Sequence, residues 1–325
     1  MSKVFFIFLS LVSSLALEAT SPLVAQRARE EKYELIRPKA QEYHEQMLSA
    51  YNQANWSEVI YSAMLLKNNY PTSPLMPDAY YYMGVAYFKQ GEYDHANLVF
   101  TDYLKQSQNL RNFEEAVDYK FQIAKLYESG VRKRLFGIKK MPKILPAKDE
   151  ALNIFDEVAA ALPRSELACQ SLYRKAGLLI FFEEYKDAIE NYQTLVRRFP
   201  KNPLAPRSYS AISDIYLKQC QREFPDPELV ELAEINLKKF QNEYPTEPLI
   251  LDVKQRLVQT KAIFAEELFT VGNYFAKKKK YQSAYIYYKT IISKYPETKF
   301  HELAYQKIEV LKKKSGRPQD FEVSL

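Results

Sequence analysis

The stretch that decides the fold is Val271-Gly272-Asn273-Tyr274-Phe275, continued by Tyr281-Gln282-Ser283-Ala284 and closed by Lys294-Tyr295-Pro296-Glu297-Thr298. A small residue, Ala284, is followed twelve positions later by a proline, Pro296. The same interval links Ala151 to Pro163, Ala188 to Pro200 and Ala233 to Pro245. Val59 and Pro71 keep it with a β-branched first member, and Ala96 and Gln108 keep it without the proline. The residue before the proline is aromatic at Tyr70, Phe199, Tyr244 and Tyr295, and Leu162 at the remaining position. A repeat of this length signals stacked helix pairs, each burying its apolar face only against its neighbours. Such an array offers a binding surface rather than a catalytic cleft. An ordinary helical bundle is the rival reading, but it has no reason to hold one register through six units.

Composition agrees. Only 7 glycines occur in 325 residues, too few for a strand-rich fold with its turns and bulges. The 26 tyrosines suit the gaps between stacked helices. The net charge of +6 comes from 46 basic and 40 acidic residues, a mild excess over a large surface. Nucleic-acid binders concentrate their charge on one face, so nucleic acid is not an expected partner. His44, His95 and His301 fall in separate repeats with no Cys or carboxylate at metal-ligand spacing. No glycine-rich phosphate loop or nucleophile elbow occurs, so neither a cofactor nor an enzymatic activity is expected.

The N-terminus resembles an export signal. Lys3 precedes a run from Val4 to Leu17 that is almost wholly apolar or small. This is shorter than the ~20 residues that span a bilayer and suits the core of a secretory signal. Residues 1–25 are therefore expected to be a signal segment, 26–314 the helical array, and 315–325 a disordered tail without apolar period. No Cys precedes position 169, so no lipidated Cys is expected at the N-terminus.

Six helix pairs and a closing helix are expected: Ala28–Asn52 with Asn55–Asn69, Asp78–Gln90 with Tyr93–Gln106, Phe113–Ser129 with Lys148–Ala161, Ser165–Phe182 with Tyr185–Arg198, Leu204–Gln221 with Pro227–Asn242, Leu249–Lys277 with Tyr281–Lys294, then Phe300–Lys314. Proline ends a helix because it lacks the amide donor and restrains the residue before it. The register residues step by 37, 55, 37, 45 and 51 from Val59. The longest step carries an insertion from about Gly130 to Ala147, rich in Arg132, Lys133, Arg134, Lys139, Lys140 and Lys143.

The second and sixth pairs resemble the tetratricopeptide repeat: Tyr80, Met83, Gly84, Tyr87, Ala96 and Phe100 in one, Leu268, Val271, Gly272, Phe275, Ala284, Tyr288 and Pro296 in the other. The fold class is accordingly all-α, a tetratricopeptide-like helical-repeat superhelix. Asn55-Trp56-Ser57-Glu58-Val59-Ile60, Tyr82-Met83-Gly84-Val85-Ala86-Tyr87-Phe88, the inserted Leu135-Phe136-Gly137-Ile138 and Glu267–Phe275 together resemble the BamD (YfiO, ComL) family of outer-membrane β-barrel assembly. That resemblance implies a non-catalytic periplasmic adaptor at the outer membrane, whose partners are a barrel-assembly subunit and unfolded barrel proteins. The chain departs from the family in lacking the lipidated Cys, in having one pair beyond five, around Ser165–Arg198, and in its more basic loop. Two other readings share the fold: a different cell-envelope scaffold, and a cytoplasmic secretion chaperone if the N-terminal run is not a signal.

Groove-facing offsets on the first helix of a pair hold Asp78, Tyr81, Val85 and Phe88, and then Glu266, Phe269, Asn273 and Ala276. Tyr81, Phe88 and Phe269 are candidate anchors for an extended peptide, since aromatics dominate interface energetics. Burial by the neighbouring repeat is the alternative. By resemblance Tyr81 and Phe88 lie on the substrate side, and Phe269 and Asn273 on the partner side. The basic loop suits anionic lipid headgroups, as a peripheral membrane contact, or an acidic protein surface; a solvated loop is the simpler reading. Lys277 to Lys280 reads as a solvated turn. No Cys169–Cys220 disulfide is expected, because helix offsets place the two about 18 Å apart at 1.5 Å per residue, and a disulfide needs Cα atoms within about 7 Å.

Overall fold

The computed structural model describes residues 39–106, 110–135, 141–222 and 226–315. The expected signal segment, Lys139, Lys140 and residues 316–325 lie outside them. Thirteen helices occur among the described residues. They are α1 (39–52), α2 (Trp56–Asn69), α3 (Met76–Lys89), α4 (Tyr93–Leu104), α5 (Phe113–Glu128), α6 (Lys148–Ala161), α7 (Glu166–Phe181), α8 (Tyr185–Arg198), α9 (Leu204–Cys220), α10 (Glu228–Glu243), α11 (Leu249–Lys277), α12 (Tyr281–Lys294) and α13 (Lys299–Ser315). A short antiparallel ribbon, β1 (Lys133–Arg134) and β2 (Lys143–Leu145), interrupts the third pair. The fold is all-α and tetratricopeptide-like, and α13 runs one residue into the expected tail. Contacts divide the chain into two units, Met1–Ile154 and Phe155–Leu325.

The proline register produces one joint used repeatedly. Tyr70, Phe199, Tyr244 and Tyr295 cap α2, α8, α10 and α12 with φ between −136° and −130° and ψ between 50° and 62°. This backbone has left the α region, which proline disfavours for the residue before it. Each cap still donates its N–H to the carbonyl four residues back, at 2.8–2.9 Å. Each carbonyl then accepts from the residue three further on: Ser73, Asn202, Glu247 and Thr298, at 3.0–3.2 Å. Pro203 and Pro248 sit at the N-caps of α9 and α11, where their missing N–H leaves no helical bond unmade.

The joint within a pair is equally uniform. Ala54, Gly91, Gly130, Glu183 and Lys279 have φ of 55°, 72°, 101°, 63° and 59°. The next residue in each case donates its N–H to the carbonyl five residues back, at 2.9–3.0 Å. This is the Schellman end of a helix, which needs a left-handed residue. Glycine takes that conformation at two of the five joints. The other three place a side chain there, at a cost of roughly 1–2 kcal/mol each.

The register residues mark where the two helices of a pair cross. Val59, Ala96, Ala151, Ala188 and Ala284 are fully buried, and Ala233 nearly so. Twelve residues before Ala96 and Ala284 stand Gly84 and Gly272; four after stand Phe100 and Tyr288. A Cβ at Gly84 would lie 2.7 Å from the Phe100 ring, and one at Gly272 would lie 2.7 Å from the Tyr288 ring. Both rings are completely buried and have nowhere to move. The first pair exchanges the sizes: Met47 takes the glycine position and Ala63 the aromatic one, both fully buried.

In the second unit, Cys169 packs with Leu172, Leu195, Tyr209 and Phe240, whereas Cys220 packs with Val230 and Phe264 in a different cluster. Both are free thiols, raised to about 11 by burial. The 29-residue α11 carries Lys261, buried and paired with Glu234 at 2.8 Å and Glu297 at 3.3 Å. That one cation ties α10 and the α12–α13 joint to the long helix.

Gly84→Ala and Gly272→Ala are expected to destabilise by roughly 1–3 kcal/mol each, the cost of overpacking a filled core. Gly177→Ala, whose Cβ would have 3.9 Å to the Tyr192 hydroxyl, is expected to be neutral or to stabilise by up to about 1 kcal/mol through helix propensity. Chemical denaturation midpoints check all three. Lys279→Gly is expected to stabilise by about 1 kcal/mol by removing the left-handed side chain; an unchanged or lower midpoint would contradict the assigned strain.

Candidate functional site

The first candidate surface lies on α3. Val85 is fully buried and Tyr81 is 4% exposed. The Tyr81 ring packs against Tyr82 and Tyr103, with centroids 5.2 and 5.7 Å away. Burial, then a hydrogen bond with Glu115, pushes its phenol far above the ordinary range. Phe88 is half-buried, edge-on to Tyr93 at 5.4 Å and to Tyr119 at 5.0 Å. Tyr119 in turn stacks on Phe100 at 5.3 Å. These aromatics thus pass packing from the α3/α4 crossing to α5. Asp78 is half-buried and pairs with His44 of α1 at 3.2 Å. That hydrogen bond, opposed by burial, holds the Asp78 carboxyl below its ordinary range.

On α11, Glu266 is exposed, while Phe269 and Asn273 are half-buried. Phe269 packs against Tyr288 at 5.6 Å and Phe300 at 5.7 Å. Asn273 Oδ1 accepts a hydrogen bond from the Tyr288 hydroxyl at 2.9 Å. It therefore fixes the far end of the same ring whose flank fills the space beside Gly272. Of the eight groove-facing candidates, Asp78, Phe88, Glu266, Phe269, Asn273 and Ala276 retain accessible surface.

The basic insertion folds back onto its own unit. Arg134 Nε and Nη2 donate to the two carboxylate oxygens of Glu92 at 2.7 and 2.6 Å, a bidentate pair. Its backbone N–H donates to Asp94 at 2.9 Å, and Nη1 reaches the Met141 carbonyl at 2.6 Å. Lys143 Nζ donates to the Gly91 carbonyl at 2.5 Å and lies 3.7 Å from Glu92. Lys133 pairs with Glu150 at 2.6 Å. Of the four basic residues described in the loop, Arg132 and Lys143 are exposed, and Lys133 and Arg134 are half-buried. The charges of Lys133, Arg134 and Lys143 are thus met by carboxylates at the α3–α4 joint and the start of α6.

A buried polar chain continues this clamp. Asp94 also accepts from the Tyr127 hydroxyl at 2.5 Å. Glu150 accepts from the Asn97 amide at 3.4 Å, and Asn97 Oδ1 accepts from Lys120 Nζ at 2.7 Å. Lys120 is 1% exposed and also donates to Thr101 Oγ1 at 2.6 Å. Glu92, Asp94 and Glu150 were not singled out by sequence reading. The separations from their basic partners run from 17 residues for Glu150 and Lys133 to 51 for Glu92 and Lys143, and a single sequence carries no signal for such pairing.

Residues 148–319 match the family described as YfiO, outer membrane lipoprotein, over more than half of the chain. The chain belongs to this family. The matched residues include α7 and α8, the pair read as additional to the family's five, and begin just after the basic ribbon. Residues 78–109, spanning α3 and α4, match the tetratricopeptide repeat. Curated proteins show no match. Among solved structures, a tetratricopeptide repeat protein from Parabacteroides merdae ATCC 43184 covers 84% of this chain and 98% of its own, at 14% identity and a TM-score of 0.36. MamA from Desulfovibrio magneticus RS-1 covers 65% of this chain and 97% of its own, at 17% identity and a TM-score of 0.33. No described helix is long and apolar enough to cross a membrane, and no described group of three His, Cys, Asp or Glu is placed to hold a metal.

Glu92 is held below the ordinary carboxylate value of 4.5, chiefly by the Arg134 hydrogen bond. A depressed folded-state pKa stabilises above the unfolded value and ceases to as pH falls through the folded one. Protection of the Arg134 and Leu135 amides is therefore expected at neutral pH and lost progressively below pH 4.5. Glu92→Gln is expected to lose it already at neutral pH. Hydrogen exchange, corrected for the intrinsic pH dependence of the amides, reads both.

Proposed function

We propose that this protein is a non-catalytic adaptor of the cell envelope, binding a β-barrel assembly partner and unfolded barrel segments through its repeat surfaces. The carrying observation is the YfiO match across α6 to α13, a continuous run of helix pairs. The apolar run at residues 4–17 supports export to the periplasm. The half-buried aromatics support the binding role. Phe88 and Phe269 are anchored by neighbouring rings yet keep one side accessible, and a pre-ordered aromatic contributes contact area at little entropic cost. By the family resemblance, Phe88 serves the substrate side, and Phe269 with Asn273 the partner side. The basic ribbon does not carry membrane contact in this reading, because Lys133, Arg134 and Lys143 are already paired.

Pull-down with the full exported chain tests the proposal. A purified barrel-assembly subunit carrying its periplasmic repeat domains is expected to be retained. Retention of peptidoglycan-binding envelope proteins with none of that subunit would replace this reading with a different envelope scaffold.

A further inference from the structure

In the second unit, α8, α9 and α10 enclose a cleft of about 280 Å³. Its floor is apolar and buried: Val196 from α8, and Tyr209, Ile212 and Tyr216 from α9. One wall is α10, where Leu232 and Ile235 line the cleft while 42% and 50% exposed. They stand three residues apart on one side of the helix, while Ala233 and Phe240 are buried in the core. Large apolar side chains left this open beside an apolar cleft mark an interaction site more often than chance exposure does.

Two exposed cations border the cleft, Arg197 at the end of α8 and Lys239 on α10. Arg197 donates to Thr194 of its own helix at 2.9 Å. Neither cation forms an ion pair with any described carboxylate. This contrasts with Lys133, Arg134 and Lys143 of the basic ribbon, which are paired with carboxylates. The single carboxylate of the lining, Glu243, is engaged by the Tyr209 phenol. Asn236 lies between them with its amide nitrogen committed to the Tyr209 carbonyl at 3.0 Å and the Ser213 hydroxyl at 2.9 Å, which leaves its oxygen as an acceptor.

The volume chooses between occupants. Pockets for small molecules begin at about 300 Å³ and enclose most of their ligand's surface. A cleft just below that size, open along one helix, fits one or two side chains of a protein segment. Unpaired positive charge at the mouth selects an acidic segment, through both attraction and encounter rate.

We propose that this cleft receives an acidic segment of a partner protein. One large apolar side chain enters between Leu232, Ile235 and the tyrosine floor, and flanking carboxylates meet Arg197 and Lys239. The proposal specifies a binding site for the adaptor reading and rests on it only in taking the occupant to be a protein.

The test uses the full chain and a short fluorescent peptide alternating leucine and phenylalanine with glutamate, beside a counterpart with lysine at the acidic positions. The acidic peptide is expected to bind, and Ile235→Ser to weaken it about tenfold or more, as loss of an interface anchor does. Arg197→Glu combined with Lys239→Glu is expected to abolish binding of the acidic peptide and confer binding of the lysine peptide. All three side chains are exposed, and circular dichroism confirms that the variants fold. Absence of binding by the acidic peptide, equal binding of both peptides by the natural chain, or indifference to these variants would overturn the site. Retention of the barrel-assembly subunit alongside any of those results would leave the adaptor reading intact, so the two fail separately.

Discussion

Everything in this chain depends on how closely two helices of a pair can cross. Where α3 meets α4 and α11 meets α12, a glycine on one helix receives an aromatic ring from the other at a distance no side chain could share. The ring is large because the glycine is absent as volume; the pair conserves space rather than residue type. Met47 with Ala63 shows the same rule inverted. A crossing set this way fixes the angle at which the second helix leaves. The non-helical aromatic cap before each proline then fixes how the next pair begins. Two local constraints, one steric and one dihedral, therefore build an array without any long-range instruction.

The array consumes most of what looks available for binding. Aromatics on the first helices were the natural candidates for a groove, yet Tyr81 spends its ring on Tyr82 and Tyr103, and Asn273 spends its carbonyl on Tyr288. Lys133, Arg134 and Lys143 of the basic insertion spend their charge in the same manner. A two-stranded ribbon of this length has almost no stability of its own in water. Glu92, Asp94 and Glu150 supply what its hydrogen bonds cannot, and the Glu92 pair is partly sheltered from solvent, where charge-assisted bonds are stronger. The loop is thereby a structural part of its unit, joined through Asn97 to the buried Lys120.

These two cases show what a single sequence reveals and what it conceals. The helix ends were legible because proline and the small register residues act on their own neighbours; the expected pairs match α1 to α12 to within about two residues where both are described. The joints within pairs were only partly legible. Gly91 and Gly130 announce a left-handed residue, whereas Ala54, Glu183 and Lys279 occupy the same conformation with no compositional sign. The lysine run from 277 to 280 reads as a solvated turn, and a turn it is, but its geometry comes from the six-residue hydrogen bond to Phe275. Charge pairing was not legible at all. Whether Arg134 faces water or Glu92 is decided by contacts across the fold, and charge density in the sequence is silent about them.

Binding capacity survives on the helix faces that the array leaves unused. A second helix of a pair must turn its register residue and the residue four beyond it inward, as Ala96 and Phe100 do. The remaining face owes nothing to packing, so apolar residues on it need another cause. On α10 the inward set is Val230, Ala233, Asn236 and Phe240, and the outward set includes Leu232, Ile235 and Lys239. Two helical periodicities coexist on this one element, one serving the array and one facing the cleft beside Arg197. Tyr209 belongs to both: its ring stacks on Phe240 in the core at 5.0 Å while it also lines the cleft. Occupancy of the cleft is consequently coupled to the packing that defines the fifth pair. A ligand bound there would be held by groups whose positions the repeat has already fixed, and binding would require little further ordering of the protein.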